Sequence, residues 1–428
     1  MDDIQIGRWT QPERRWLGLA VLLALILRLA FVFGYWVDKP LTVDQTEYLM
    51  LADNLRAGNG LTYGDSDDDA HRLMRSPGYP LFLAAVRTVS PGIEGVKAAQ
   101  AMLGALSVLL VAALARRLGG GRAAVFAAFL MACYPPQIFQ PGYVLSETLF
   151  TALGLVALIL CWRVLDTLDT SNTRHEPSPG KSSLLGGTVA AGIAVGLTVL
   201  TRPEFLLFSG LLSLWLVWYK HLGTAAVWLT VTAATVAPWP IYNVLAHDRV
   251  VMLSSRGGPN LWMGNNEHTT GDGDVSGNAA MDTAYQQISR ANQTLPPEEI
   301  ERAFYTKTFA YVREQPGDFI GNVVRKAFYF WVPVGRSYQQ RSVLYWAAQA
   351  LSFLGLLVIT IRALPRFLRI DPIPTVLVVS LASVYLTCLI FFPLARYRVP
   401  MFDPVLIAIA SLGLHCTYRR GASTVSRR

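Results

Sequence analysis

LGLAVLLALILRLAFVF, residues 17–33, carries a single charge, Arg28, in a run about as long as a helix needs to cross the hydrocarbon core of a bilayer. Ala101–Ala115 and Val376–Phe392 repeat that character, and a soluble domain with one large core does not need several such runs. Composition agrees: 52% of the 428 residues are hydrophobic and 15% are charged, against roughly 25% charged in a soluble domain. No small-residue cleavage site follows the first run, which continues into Tyr35-Trp36, so it reads as a retained anchor.

The expected fold is therefore an all-α polytopic membrane protein with about ten transmembrane helices. The spans are placed near 16–36, 95–115, 122–140, 145–165, 185–201, 204–219, 222–243, 342–361, 373–392 and 400–416. Lys and Arg collect in alternate short connections: Arg14 and Arg15, then Arg116, Arg117 and Arg122, then Arg174 and Lys181, then Lys220, then Arg362, Arg366 and Arg369, and finally Arg419, Arg420, Arg427 and Arg428. Cytoplasmic loops carry that excess, so both termini are expected in the cytoplasm of a multi-pass protein of the plasma (inner) membrane. The formal charge of +8 is a topology signal, and no nucleic-acid partner is expected.

That orientation divides the chain into an N-terminal transmembrane module (1–243) with a first external loop at 37–94, a second external region at 244–341, and C-terminal helices with a tail at 342–428. The 170–183 stretch has the composition of a flexible cytoplasmic linker. Cys133, Cys161, Cys388 and Cys416 lie in or beside apolar runs, without metal or disulfide-framework spacing.

Within the first external loop, Tyr48, Leu51, Ala52 and Leu55 recur at helical spacing, predicting an interfacial helix over 45–57 with Asp44 at its start. A helix N-terminus favours a carboxylate, and the plain structural reading makes Asp44 the N-cap with Glu47 completing a capping box. Asp65, Asp67, Asp68 and Asp69 beside His71 could hold a divalent cation, although such a run is more often a solvated turn. Arg75 precedes a bend set by Pro77 and Gly78 and suits an anionic headgroup, because guanidinium grips phosphate with parallel hydrogen bonds; interfacial snorkelling is the plain alternative.

Glu147 stands at the mouth of a span, where a carboxylate is costly unless paired or functional. Arg202 and Glu204, flanking Pro203, are the expected partners, and Arg28 must pair or face a cavity for the same reason. The second external region carries Arg256-Gly257-Gly258-Pro259 and Gly264-Asn265-Asn266, turn residues with amides suited to sugar hydroxyls. From Phe304 to Phe330 the pattern is helical with a break at Pro316, ending near Lys326. Arg396 and Arg398 then place two cations on a short external turn, against the basic-inside trend, where a lipid phosphate would justify them.

In this order, Asp44-Gln45-Thr46-Glu47-Tyr48, Arg75-Ser76-Pro77-Gly78-Tyr79-Pro80, Ser146-Glu147, Leu200-Thr201-Arg202-Pro203-Glu204, Gly264-Asn265-Asn266 and Arg396-Tyr397-Arg398-Val399-Pro400 span nearly the whole chain. On these segments it resembles the GT-C superfamily of polyprenyl-phosphate-sugar-dependent glycosyltransferases, bacterial protein-mannosyltransferase-like and lipid A sugar-transferase-like members in particular. The resemblance implies inverting transfer of a sugar from a polyprenyl-phosphate donor to a hydroxyl acceptor (lipid, glycan or protein) on the extracytoplasmic face.

Asp44 would be the catalytic carboxylate, with Arg75, Arg396 and Arg398 on the donor phosphate. Glu47, Tyr48, Tyr79, Glu147, Arg202, Glu204, Asn265 and Asn266 would bind substrate or support the site. Many relatives place Glu directly after that aspartate; here the position is Gln45. A divalent metal is left open. The competing class is a lipid-linked-glycan flippase or other transporter, with Arg28, Glu147 and Arg202 along a path; the absence of matching halves in the sequence counts against it.

Overall fold

In the computed structural model, which describes residues 9–63, 75–173, 181–248, 250–271, 277–333 and 342–422, every regular element among the described residues is helical. The first helix, α1 (Gln11–Ala30), begins where Thr10 Oγ accepts the Glu13 N–H at 3.4 Å and Glu13 returns a carboxylate to the Thr10 N–H at 2.8 Å. That reciprocal pair satisfies two of the orphan donors at the helix start. A wider turn at Phe31–Tyr35 ends the span, where Phe31, Trp36, Phe139 and Tyr345 pack as an aromatic group.

Two short helices follow, α2 (Val43–Arg56) and α3 (Gly78–Val89). The next, α4 (Ile93–Cys133), runs 41 residues and is broken by non-helical backbone at Gly119 and Gly120, with Gly120 at φ +76°. A side chain rarely adopts that conformation, so glycine turns the chain between the two predicted spans here. The chain continues through α5 (Pro135–Phe139), α6 (Glu147–Thr173), α7 (Lys181–Thr201), α8 (Phe205–Trp218), α9 (Leu222–Val236) and α10 (Pro238–His247).

The second external region forms α11 (Gly257–Gly264), α12 (Ala279–Ala291), α13 (Pro297–Glu314) and α14 (Pro316–Tyr329), the last two divided at the expected proline. The C-terminal helices are α15 (Val343–Phe367), α16 (Thr375–Ile390), the single turn α17 (Ala395–Arg398) and α18 (Phe402–Ala422). Six helices among the described residues are long and apolar enough to cross a membrane, and Phe205–Trp218, Thr375–Ile390 and Phe402–Gly413 are shorter apolar helices. Of the long helices, α4 carries two of the expected spans on either side of Gly119 and Gly120, and the three shorter apolar helices coincide with three more of the expected runs.

Small residues set the bundle. Ala20 and Ala24 of α1 face Ala105, Val108 and Ala112 of α4 in one continuous core with α6, α7, α8, α15, α16 and α18. In lipid the apolar chains of a protein gain little by hiding from their surroundings, so close backbone approach at Ala and Gly supplies the packing. Large apolar side chains accordingly stay exposed on the outside, among them Leu19, Leu22, Ile26, Leu106 and Leu214.

Candidate active site

Asp44 lies in the first turn of α2, two residues inside an N-cap at Thr42 whose side chain makes no capping hydrogen bond. The capping box predicted for Asp44 and Glu47 does not form. Both carboxylates are instead drawn to guanidinium groups delivered by distant elements. Arg75 donates Nη2 to Asp44 Oδ1 at 2.6 Å and Nε to Glu47 Oε2 at 2.6 Å. Arg256 donates Nη2 to both Glu47 oxygens, at 2.8 and 2.6 Å. Arg396 donates Nη1 to Asp44 Oδ2 at 3.2 Å and Nε to Glu147 Oε1 at 3.0 Å. Arg202 reaches the same Glu147 oxygen at 3.1 Å and is paired through Nε with Glu204.

Eight charged side chains thus form one network at a single end of the bundle, drawn from α2, the segment before α3, the start of α6, the end of α7, the start of α8, the start of α11 and α17. Burial lifts the Asp44 carboxyl, but the charges of Arg396, Arg75 and Arg256 and the Arg75 hydrogen bond outweigh it and hold the group well below the usual carboxylate range. The Asp44 side chain is 32% exposed, against 14% for Glu47 and 7% for Glu147, so Asp44 is the carboxylate of the three that a solute reaches most readily.

Local packing explains how Arg75 arrives. At Gly78 an added Cβ would lie 2.7 Å from Thr201 Oγ and 2.8 Å from the Leu200 carbonyl, so only glycine lets α3 start against the end of α7. Ser76 Oγ donates to the Leu253 carbonyl at 3.3 Å, and the Arg75 guanidinium lies 4.5 Å over the Tyr48 ring. Tyr48 is packed edge-on by Tyr79, whose hydroxyl donates to Gln100 at 2.8 Å. Tyr79 therefore acts at one remove, by fixing the ring beneath Arg75. A small pocket lined by Leu51, Leu61, Tyr63, Arg75, Pro77, Pro80 and Trp239 opens beside that arginine.

Three expectations need correction. Arg398 does not join the network: its Nε donates to Asp403 at 3.1 Å, its Nη1 to the Phe330 carbonyl at 3.1 Å, and its guanidinium covers the Phe353 ring. Residues two apart on one helical turn leave it in nearly opposite directions, so Arg396 and Arg398 cannot share a ligand. Asn265 and Asn266 spend their amides within the fold. Asn265 donates to Leu261 and Ile390 carbonyls and accepts Lys326 Nζ at 2.7 Å, and Asn266 donates to the Trp262 carbonyl.

Gln45 is turned inward, accepting the Val144 N–H at 3.0 Å, so the second carboxylate beside Asp44 comes from Glu47 and Glu147 rather than from the next residue. Arg28 lines no path. It is buried and donates to the carbonyls of Ala24 and Ala132. Arg256 was legible only as part of a glycine-rich turn, because nothing local to it indicates a partner 209 positions away.

Among the described residues, no group of three or more His, Cys, Asp or Glu side chains is placed to hold a metal ion. The oxygens of Asp44, Glu47 and Glu147 face guanidinium groups, a setting that repels a cation. The acidic run at Asp65–Asp69 with His71 lies outside the described residues.

Residues 81–249 match the dolichyl-phosphate-mannose-protein mannosyltransferase family. The matched span contains Glu147, Arg202 and Glu204 and leaves out Asp44, Arg75, Arg256 and Arg396. Among solved structures, the chain is similar to the Archaeoglobus fulgidus oligosaccharyltransferase tethered to an acceptor peptide, with a TM-score of 0.58 at 16% identity over 95% of this chain and 50% of that one. The same oligosaccharyltransferase, AglB, in complex with an inhibitory peptide and a dolichol-phosphate overlaps with a TM-score of 0.54 at 15% identity, over 98% and 53%.

The fold is that of the membrane part shared with this oligosaccharyltransferase. The chain spans about half the length of the oligosaccharyltransferase it matches. ArnT from Cupriavidus metallidurans bound to undecaprenyl phosphate overlaps more loosely, with a TM-score of 0.45 at 14% identity over 96% of this chain and 79% of that one. No curated protein sequence matches the chain.

Proposed function

We propose that the protein is an inverting glycosyltransferase that moves a sugar from a polyprenyl-phosphate donor to a hydroxyl acceptor. The observation carrying this reading is Asp44, a partly exposed carboxylate flanked by the guanidinium groups of Arg75 and Arg396. Transfer needs one base for the acceptor hydroxyl and cations for the charge that grows on the departing phosphate. A phosphate leaving group requires no general acid, so one essential carboxylate suffices, unlike the pair in a glycosidase. The mannosyltransferase family match and the GT-C fold support the same class of chemistry. The sugar, whether hexosyl or pentosyl, and the acceptor, whether lipid, glycan or protein, belong to this proposal at class level.

The reaction is placed on the extracytoplasmic face of the plasma (inner) membrane, with both termini cytoplasmic. Supporting that placement, the charged network sits at the bundle end opposite Arg116, Arg117 and Lys220, residues with the cytoplasmic signature. Against the transporter reading, Glu147 and Arg202 converge on the Asp44 network instead of lining a separate route. The test is turnover of a polyprenyl-phosphate sugar by purified protein, with and without chelator. Asp44→Asn should abolish transfer; full activity in that variant, or transport in proteoliposomes without sugar transfer to any acceptor, would end the assignment.

A further inference from the structure

Each guanidinium at Asp44 is shared between two carboxylates, and the sharing has a consistent direction. Arg75 and Arg396 both present their Nε edge to a well-buried acid, Glu47 and Glu147, and an Nη nitrogen to Asp44, the Arg75 Nη2 lying also against Glu47 Oε2 at 2.5 Å. The buried acids fix how each planar fork is oriented, while the outer partner is the more exposed side chain. Asp44 consequently occupies a seat built from two arginines, with one oxygen on each. A sugar–phosphate–prenyl diester resembles that carboxylate: one negative charge and two non-bridging oxygens able to reach the same two nitrogens.

We propose that Asp44 is the resting occupant of a two-arginine phosphate seat, that the donor phosphate displaces it, and that the base is thereby released only when a donor is present. This rests on the transferase reading above. In the resting protein the groups facing Asp44 among the described residues are Arg75, Arg256 and Arg396, with Glu47 on its own helix and Glu147 and Tyr397 behind Arg396. Three cations against it make Asp44 a poor proton acceptor while it is seated. Once phosphate takes Arg75 and Arg396, the carboxylate has lost two cationic neighbours and becomes the stronger base.

The acceptor O–H proton then passes to Asp44, and the acceptor oxygen bonds to the anomeric carbon. The bond from that carbon to the phosphate oxygen breaks, and its electron pair remains on the phosphate. The product is a lipid monophosphate of higher charge, held by the same two arginines. Asp44 gives its proton to water, and its return to the seat competes the product off, so no co-reactant is needed.

The test is binding of a short-chain polyprenyl monophosphate to the full chain in nanodiscs, measured by calorimetry. Removing the competing charge with Asp44→Asn should tighten binding roughly tenfold or more, the scale of losing one charge-assisted hydrogen-bonded competitor, while transfer is lost. Unchanged or weaker binding in a folded Asp44→Asn protein overturns displacement and leaves the transferase reading standing; full transfer activity overturns both. Should that variant fail to fold, wild-type pH profiles decide. The acid limb of kcat, which reports the donor-loaded protein, should lie at higher pH than that of kcat/KM for the donor, which reports the free protein. Coincident limbs overturn the proposal.

Discussion

Arg396 and Arg398 lie two positions apart on one helical turn, and their opposite directions give substitutions there different consequences. Arg396→Ala removes a cation from the Asp44 network and, on the proposed chemistry, should lower kcat/KM for a polyprenyl-phosphate donor by on the order of 10²-fold with the fold retained. Arg398→Ala strands Asp403, which is fully buried and also accepts the Tyr134 hydroxyl at 2.7 Å. Orphaning a buried partner costs on the order of 3–5 kcal/mol, so that variant should lose thermal stability in detergent first. Equal effects of the two on donor use in stable protein would contradict the geometry.

Lys326 gives a second prediction at this scale. Its ammonium is buried, donates to Asn265 Oδ1 and to the Leu389 and Ile390 carbonyls at the end of α16, and is pulled down to about 7 from 10.5 by burial, against an opposing contribution from Cys388. Between those values the unfolded chain holds a proton that the folded chain does not. Stability should therefore rise with pH from about 7 to about 10 and level off below. Melting temperatures across that range check it, and Lys326→Met should flatten the rise.

At the level of elements, the site is a matter of where helices begin and end. Asp44, Glu147 and Arg256 sit at helix starts, Arg202 at a helix end, and Arg75 just ahead of α3. The contact of α3 with the end of α7 through Gly78 sets the reach of Arg75. Gly78→Ala forces the two helices apart or displaces Thr201, an overpacking cost of about 1–3 kcal/mol. Its mark should be a raised donor KM along with a lower melting temperature. A variant with wild-type KM would show that α3 adjusts without moving Arg75.

This is also the scale at which the sequence was most readable. Hydropathy identified the helices, Pro316 divided α13 from α14 as expected, and the period of Tyr48, Leu51 and Ala52 located α2 within two residues. The apolar run spanning Gly119 and Gly120 was divided correctly because arginines flank those glycines, a signal local to the chain.

For the whole molecule, the testable statement is sidedness. Val43 is 73% exposed at the network end and Tyr219 is 56% exposed at the far end of α8. With native cysteines replaced, a membrane-impermeant maleimide applied to intact cells should label Val43→Cys and spare Tyr219→Cys. The reverse pattern would invert the proposed topology.

The chain by itself determined the helical membrane fold, since a bilayer admits only backbone that satisfies its own hydrogen bonds, and the long apolar runs declare that locally. It also nominated Asp44, Arg75, Glu147 and Arg396 as charges too costly to stand idle at a membrane. Which cation meets which carboxylate was decided only in three dimensions. Glu47 meets Arg256 across 209 positions and Asp44 meets Arg396 across 352, while Arg398, Asn265 and Asn266 turn into the fold. Pairing over such separations depends on how whole helices pack and rotate, and no short stretch of residues encodes that.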